Sequence, residues 1–244
     1  MDWFSDRARR DLPLIIGHRG ASADAPENTM AAFSLAIEQG ADGIEFDVQL
    51  CADGVPVIVH DDTVDRICDA SGRVDQMTVA ELQRLDLGMD QTVPTLDELF
   101  ERFGRSILYN LELKTMSVTD RGLEAAVAER LIAHGLGAEV LVSSFSLFAL
   151  RRIRPLLPPA IRLGFLRERA STRLACRLAY ADADHPDHRL VDAASMAWAE
   201  RNGYRVHVWT VDDPDEARRL AALGVDGLIT NRPAFLRRHL TPAL

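Results

Sequence analysis

The sequence predicts an α/β protein, a (β/α)8 TIM barrel with a small insertion after the second strand and its hairpin arm. Three observations carry this. Short apolar runs alternate with amphipathic segments almost from end to end. Leaving out one hairpin arm, about eight of the runs are each followed by a segment of helical period. The length of 244 residues is close to the ~250 typical of such barrels. A doubly wound open sheet is the alternative, but it needs a glycine-rich phosphate loop after the first strand, and "GHRGAS" is not GxGxxG. We therefore expect one barrel domain over residues 1–244, with the insertion at about 61–93.

The elements follow in order. "LPLIIGHRG" is a strand with a glycine-containing exit, and "PENTMAAFSLAIEQGA" is a helix stopped by Gly40. "DGIEFDVQL" is the second strand. "CADG" behind it is too short for a parallel crossover, which needs a dozen or more residues. "VPVIVHDD" should therefore fold back antiparallel, and pairing Leu50 with Val55 would set His60 beside Glu45. From Asp61 to Val93 periodicity fails, apart from a short helix at "TVAELQRLD". Thr95 caps the helix "PTLDELFERFG". Strands then fall at "SILYNLELK", "EVLVSSFS", "IRLGFLRE", weakly at "YADADHP", then at "YRVHVWTV" and "VDGLITNRP". The helices "RGLEAAVAERLIAHG", "LFALRRIRPLL", a segment near Ser171 to Leu178, "LVDAASMAWAERNG", "PDEARRLAALG" and "AFLRRHL" lie between and after them.

Composition narrows the function. Hydrophobic residues make up 47% of the chain, normal for a packed core. A net charge of −9 argues against nucleic-acid binding through a basic surface, though not against a local anion site. Cys51, Cys68 and Cys176 are odd in number and widely spaced, as expected of free thiols in a reducing compartment. The N-terminal "MDWFSDRARRDLPL" lacks an apolar signal core. No run approaches membrane-span length. A cytoplasmic protein is expected.

Polar residues at strand ends point to chemistry. In "IEFDVQL", Glu45 and Asp47 share one face of a strand. Barrel strands are buried on both faces, so such acids belong at the open C-terminal mouth, where barrel active sites lie. "YNLELK" repeats the pattern with Asn110, Glu112 and Lys114. Three converging carboxylates repel unless a cation or protons compensate. An all-oxygen set suits one hard divalent ion, Mg²⁺ or Ca²⁺; the bland alternative is separate ion pairs, with Lys114 against Glu112. His18, followed by Arg19, and His60 also close strands. His134, His185, His188 and His239 have no such context, and His207 shares a face with Trp209. Two imidazoles suited to proton transfer, two cations suited to phosphoryl oxygens and a metal together suggest phosphate-ester chemistry.

With those residues in place, the chain resembles the glycerophosphodiester phosphodiesterases along nearly its whole length. "HRGASADAPENTMAAF", "GADGIEFDVQLCADGVPVIVHDDTVDR", "PTLDELF", "NLELK", "VWTVD" and "GVDGLITNRP" occur in that family's order. The resemblance implies a TIM barrel whose insertion corresponds to about 61–93. It implies metal binding by Glu45, Asp47 and Glu112, acid/base roles for His18 and His60, phosphate contacts from Arg19 and Lys114, and an aromatic substrate contact from Trp209. Departures are Cys68 for a usual threonine, an insertion that is short between Leu87 and Pro94, and Asn231 for a common aspartate.

The expected activity is metal-dependent hydrolysis of a small glycerophosphodiester to glycerol 3-phosphate and an alcohol. A related barrel phosphodiesterase acting on lysolipids and an inactive phosphodiester-binding module are the alternatives. No basic amphipathic helix or exposed apolar loop marks a membrane surface. The choice of metal, the headgroup and which histidine is the acid stay open.

Overall fold

The computed structural model describes residues 2–3, 12–119 and 121–241. Most of the N-terminal stretch read for targeting lies outside the described residues. Eight parallel strands form a closed ring: β1 (Leu14–His18), β2 (Gly43–Leu50), β4 (Leu108–Leu113), β5 (Val140–Ser144), β6 (Arg162–Arg167), β7 (Ala183–Pro186), β8 (Arg205–Val208) and β9 (Gly227–Thr230). β1 pairs with both β9 and β2, which closes the barrel. β3 (Pro56–Ile58) lies outside the ring, antiparallel to β2. β2 accepts three neighbours because the strands are staggered: β1 covers Gly43 to Glu45, and β3 takes Val48 to Leu50.

The hairpin direction was legible; its register was not. Leu50 pairs with Pro56, and Val48 with Ile58, one residue away from the expected Leu50–Val55 pairing. The Cys51 amide donates to the Val55 carbonyl at 3.1 Å, which continues this register and leaves Ala52, Asp53 and Gly54 as the loop. β3 ends at Ile58, so His60 is not a ladder partner of Glu45. A one-residue slip in a strand reverses every side chain; here His60 avoids that consequence by lying beyond the strand.

Around the ring stand α1 (Met30–Glu38), α3 (Leu96–Phe103), α4 (Leu123–Ala133), α5 (Leu147–Ile153), α6 (Ala175–Leu178), α7 (Ala193–Arg201), α8 (Pro214–Leu223) and α9 (Pro233–Leu240). α2 (Val79–Leu82), the short helix expected at "TVAELQRLD", belongs to the insertion. Thr95 caps α3 through a reciprocal box with Glu98, as its position suggested. The main core packs Phe33, Ile44, Phe46, Tyr109, Val142 and Leu150 between strands and helices. The insertion shares a smaller core with the hairpin arm, built on Val57, Val59, Val64, Val74, Leu82 and Val93.

Inside the barrel the filling is layered. Leu14, Ile16, Leu108, Leu141, Ala183 and Ile229 pack with Trp3, whose indole nitrogen lies 3.1 Å from the Tyr109 carbonyl oxygen and 3.0 Å from that of Glu139. His185 and His207 are buried above them with their rings hydrogen-bonded at 3.0 Å. Gly164 and Gly227 leave the room for this pair: a Cβ on Gly164 would meet His185 Nε2 at 2.6 Å, and one on Gly227 would meet His207 Cδ2 at 2.9 Å. The interior is therefore filled by these side chains, and a cavity lies at the carboxyl ends of the strands, where barrel sites form.

Candidate active site

Strand register assembles the acids. Glu45 lies opposite Asn110, and Asp47 opposite Glu112, on the adjacent strands β2 and β4. Oxygen atoms of Glu45, Asp47 and Glu112 fall within 4.8 Å of one another, and all three residues are buried. Their charges resist this arrangement. Burial, then repulsion from Asp47 and Glu112, raises the Glu45 carboxyl well above its usual range. Burial and Asp47 push Glu112 up to about 7. Asn110 beside them is fully buried, with both side-chain polar atoms unpartnered. Oxygen donors, unrelieved like charge and an unpartnered amide fit a hard divalent cation. Thiolate and imidazole donors are absent from the cluster, which disfavours zinc.

Two cations border the acids. Lys114 Nζ stands 3.0 Å from Glu112 and 3.7 Å from Asp47. Arg19 Nε stands 3.3 Å from Asp47, and the Arg19 amide donates to Glu45 at 3.1 Å. Both cations titrate higher than usual: burial works against the charge, but the surrounding carboxylates outweigh it.

The two histidines reach the same mouth by different supports. His18 ends β1, with Nε2 3.9 Å from Glu45. Burial and the Arg19 charge lower its pKa. His60 follows β3, just before the insertion, and is held in three ways. Gln49 Nε2 lies 3.2, 3.0 and 2.8 Å from the carbonyls of Val59, His60 and Asp61. Asp61 contacts His60 Nδ1 at 2.6 Å. Arg66 then links Asp61 to Glu27, both at 2.6 Å, and Glu27 accepts from Arg19 at 3.0 Å.

His18, Arg19, Glu45, His60, Glu112, Lys114 and Trp209 thus line one cavity of about 350 Å³. Asp47 is not in this lining; it lies buried behind it, in contact with Arg19 and Lys114. Trp209 lies one residue past β8 rather than within it. Its indole donates to the His185 carbonyl at 2.7 Å, and it meets Phe145 edge to face at 5.5 Å. Leu166 and Glu168 complete that wall.

Sequence reasoning gave no role to Gln49, Glu27, Asn28 or Arg66. Asn28 donates to Asp47 at 2.8 Å from a left-handed backbone. The available signal was position: all four fall within the quoted motif blocks. The loop after β4 also departs from expectation, because Met116 and Val118 are exposed there.

Residues 18–235 match the glycerophosphoryl diester phosphodiesterase family. The chain belongs to that family. It is 36% identical over 234 residues to a glycerophosphodiester phosphodiesterase of Caldanaerobacter subterraneus subsp. tengcongensis, covering 91% of this chain and 96% of the relative. Among solved structures, an Oleispira antarctica phosphodiesterase in complex with its product sn-glycerol-3-phosphate superposes with a TM-score of 0.84 at 32% identity, over 94% of this chain and 97% of that one. A glycerophosphodiester phosphodiesterase from Agrobacterium tumefaciens gives 0.79 at 30% identity, over 93% and 100%. The expected barrel and family are therefore both met. Among the described residues, no helix is long and apolar enough to cross a membrane.

Proposed function

We propose that this chain hydrolyses small glycerophosphodiesters to glycerol 3-phosphate and an alcohol, using a divalent cation, Mg²⁺ or Ca²⁺, held by Glu45, Asp47 and Glu112. The observation that carries the reading is the convergence of this buried acidic trio with two cations and two imidazoles at one cavity. The product named in the Oleispira antarctica structure supports the substrate class.

Bound there, a divalent ion offsets the charge that builds on the phosphoryl oxygens. Arg19 and Lys114 orient the diester and share that task, more strongly in the transition state than in the ground state. One imidazole takes the proton of the attacking hydroxyl as its oxygen bonds to phosphorus. The bond from phosphorus to the leaving oxygen breaks, and the other imidazole protonates that oxygen. The attacking hydroxyl belongs to water, which gives glycerol 3-phosphate directly, or to the substrate's own glycerol C2, which gives a cyclic phosphate that water then opens to glycerol 3-phosphate. Trp209 and Phe145 form an apolar wall for glycerol or the leaving alcohol.

Exposed Met116 and Val118 favour a second reading, in which the alcohol or glycerol carries an acyl chain. Assay of phosphodiester cleavage tests the two, read as glycerol 3-phosphate from glycerophosphocholine, glycerophosphoethanolamine and glycerophosphoglycerol, and as acylglycerol phosphate from lysophospholipids. Turnover of the water-soluble diesters supports the first reading; turnover of lysolipids alone replaces it with the second. A protein that binds the diesters and cleaves none is an inactive binding module.

A further inference from the structure

Behind His18 the structure carries a second layer that none of the catalytic groups above requires. His18 Nδ1 lies 2.7 Å from Asn231 Oδ1. Asn231 follows β9, and its side chain is itself fixed. Its Nδ2 meets Asp212 Oδ2 at 2.6 Å, while its backbone amide donates to Asp212 Oδ1 at 2.8 Å. Asp212 Oδ1 also accepts from Thr230 Oγ1 at 2.8 Å. Ser22 Oγ stands 2.7 Å from Asn231 Oδ1 and 2.8 Å from the His18 carbonyl oxygen.

These contacts favour one assignment of the hydrogens. An ionised carboxylate only accepts hydrogen bonds, so the Asn231 atom facing Asp212 must be the NH₂ group. The oxygen then faces His18. An amide oxygen also only accepts, so His18 must carry its hydrogen on Nδ1. That leaves Nε2, the nitrogen on the Glu45 side, available for proton transfer in the cavity.

We infer that Asn231, locked by Asp212, is a positioning residue that sets the tautomer and ring orientation of His18. The inference rests on the proposed role of His18. It concerns the hydrogen-bond partner of one ring nitrogen, and it predicts a compensation that His18 alone does not. In Asn231→Asp, two carboxylates meet where the 2.6 Å contact now stands. In Asp212→Asn, two amides meet, and one orientation or the other loses an acceptor. In the double swap, the amide placed at position 212 donates to the carboxylate placed at position 231. The other oxygen of that carboxylate still accepts from His18. The lock is rebuilt with its parts exchanged.

The test measures kcat and KM for a glycerophosphodiester in Asn231→Leu, Asn231→Asp, Asp212→Asn and the double swap, each also in a His18→Ala background. Ring ¹⁵N NMR of the protein reports the His18 tautomer directly. We expect each single variant to lower kcat by about 10- to 100-fold, by analogy with the loss of the partner that orients a metal-bound histidine, with KM little changed. The double swap should recover most of the loss, and the Asn231 changes should have no further effect once His18 is Ala. The wild-type spectrum should show Nδ1–H, and Asn231→Leu should show a mixture. Equal losses in the His18→Ala background, or no recovery in the double swap, would overturn the proposal. An Nε2–H tautomer in the wild type would overturn it even if no diester were cleaved, which separates its failure from that of the functional reading.

Discussion

The Lys114 ammonium lies 3.0 Å from Glu112 and reaches Asp47 at 3.7 Å. A simple ion pair would have ended there. Instead, burial and Asp47 still push Glu112 up to about 7 despite Lys114. The lysine therefore serves an acidic cluster that it does not neutralise.

That imbalance predicts a pH dependence for chelated protein. A carboxyl whose folded pKa is raised binds more protons folded than unfolded, so stability falls as pH rises between the two values. For Glu112 that window runs from the ordinary carboxylate range to about 7. Melts in a chelator should give a Tm that declines across the window, and Mg²⁺ or Ca²⁺ should raise Tm most at its upper end. A flat profile, unmoved by either ion, would remove the metal site.

Gln49 is predicted to matter through His60. Gln49→Leu keeps the volume but strips three carbonyls of their shared donor. Leaving the acceptor of Val59, the buried residue of the three, unpaired costs ~1–3 kcal/mol, and the loop that aims His60 loosens. Thermal melts should show a loss of this order, and kcat should fall further than the fraction of folded protein. Unchanged kinetics would mean that His60 is held by Asp61 alone.

Trp209→Ala separates a substrate wall from barrel filler. As a wall, the indole contributes to KM or kcat for the diesters, and its loss should change them unequally across headgroups. If only Tm falls while the constants of the folded enzyme stay put, Trp209 is packing and the substrate contact must be sought at Phe145 or Leu166.

Arg167 and Asp184 form a buried two-contact pair, at 2.6 and 2.7 Å, away from the cavity lining. Removing one partner strands the other, so Asp184→Ala should cost roughly 3–5 kcal/mol. Replacing both with apolar residues of similar size should recover much of that. Equilibrium denaturation of the single and double variants measures the difference; equal losses in both would contradict it.

The barrel was legible because most strands carry an apolar run and the longer helices a 3.6-residue period; β7, Ala183–Pro186, was the weak one because Asp184 and His185 interrupt it. The acids were legible because Glu45, Asp47 and Glu112 interrupt runs that should be apolar. What escaped was set by contacts remote in sequence or by single-residue details. The β2–β3 register turned on one hydrogen bond across the loop between Cys51 and Val55. Arg66 reaches Glu27 across 39 positions, a pairing no periodicity reports. His185 gave no sign of entering the barrel, because the room for it comes from Gly164 on another strand.

The most direct test is turnover by the chelated enzyme before and after a divalent ion is restored, in the wild type and in His18→Ala and His60→Ala. The account predicts negligible glycerol 3-phosphate release without the ion and recovery on adding Mg²⁺ or Ca²⁺. Each histidine variant should bind the ion normally yet turn over roughly 10²–10⁴-fold more slowly, the range for losing a general acid or base. A diester with a very good leaving group should rescue one variant and not the other. Full activity in the chelator, or near-normal rates in both histidine variants with the ion bound, would contradict it.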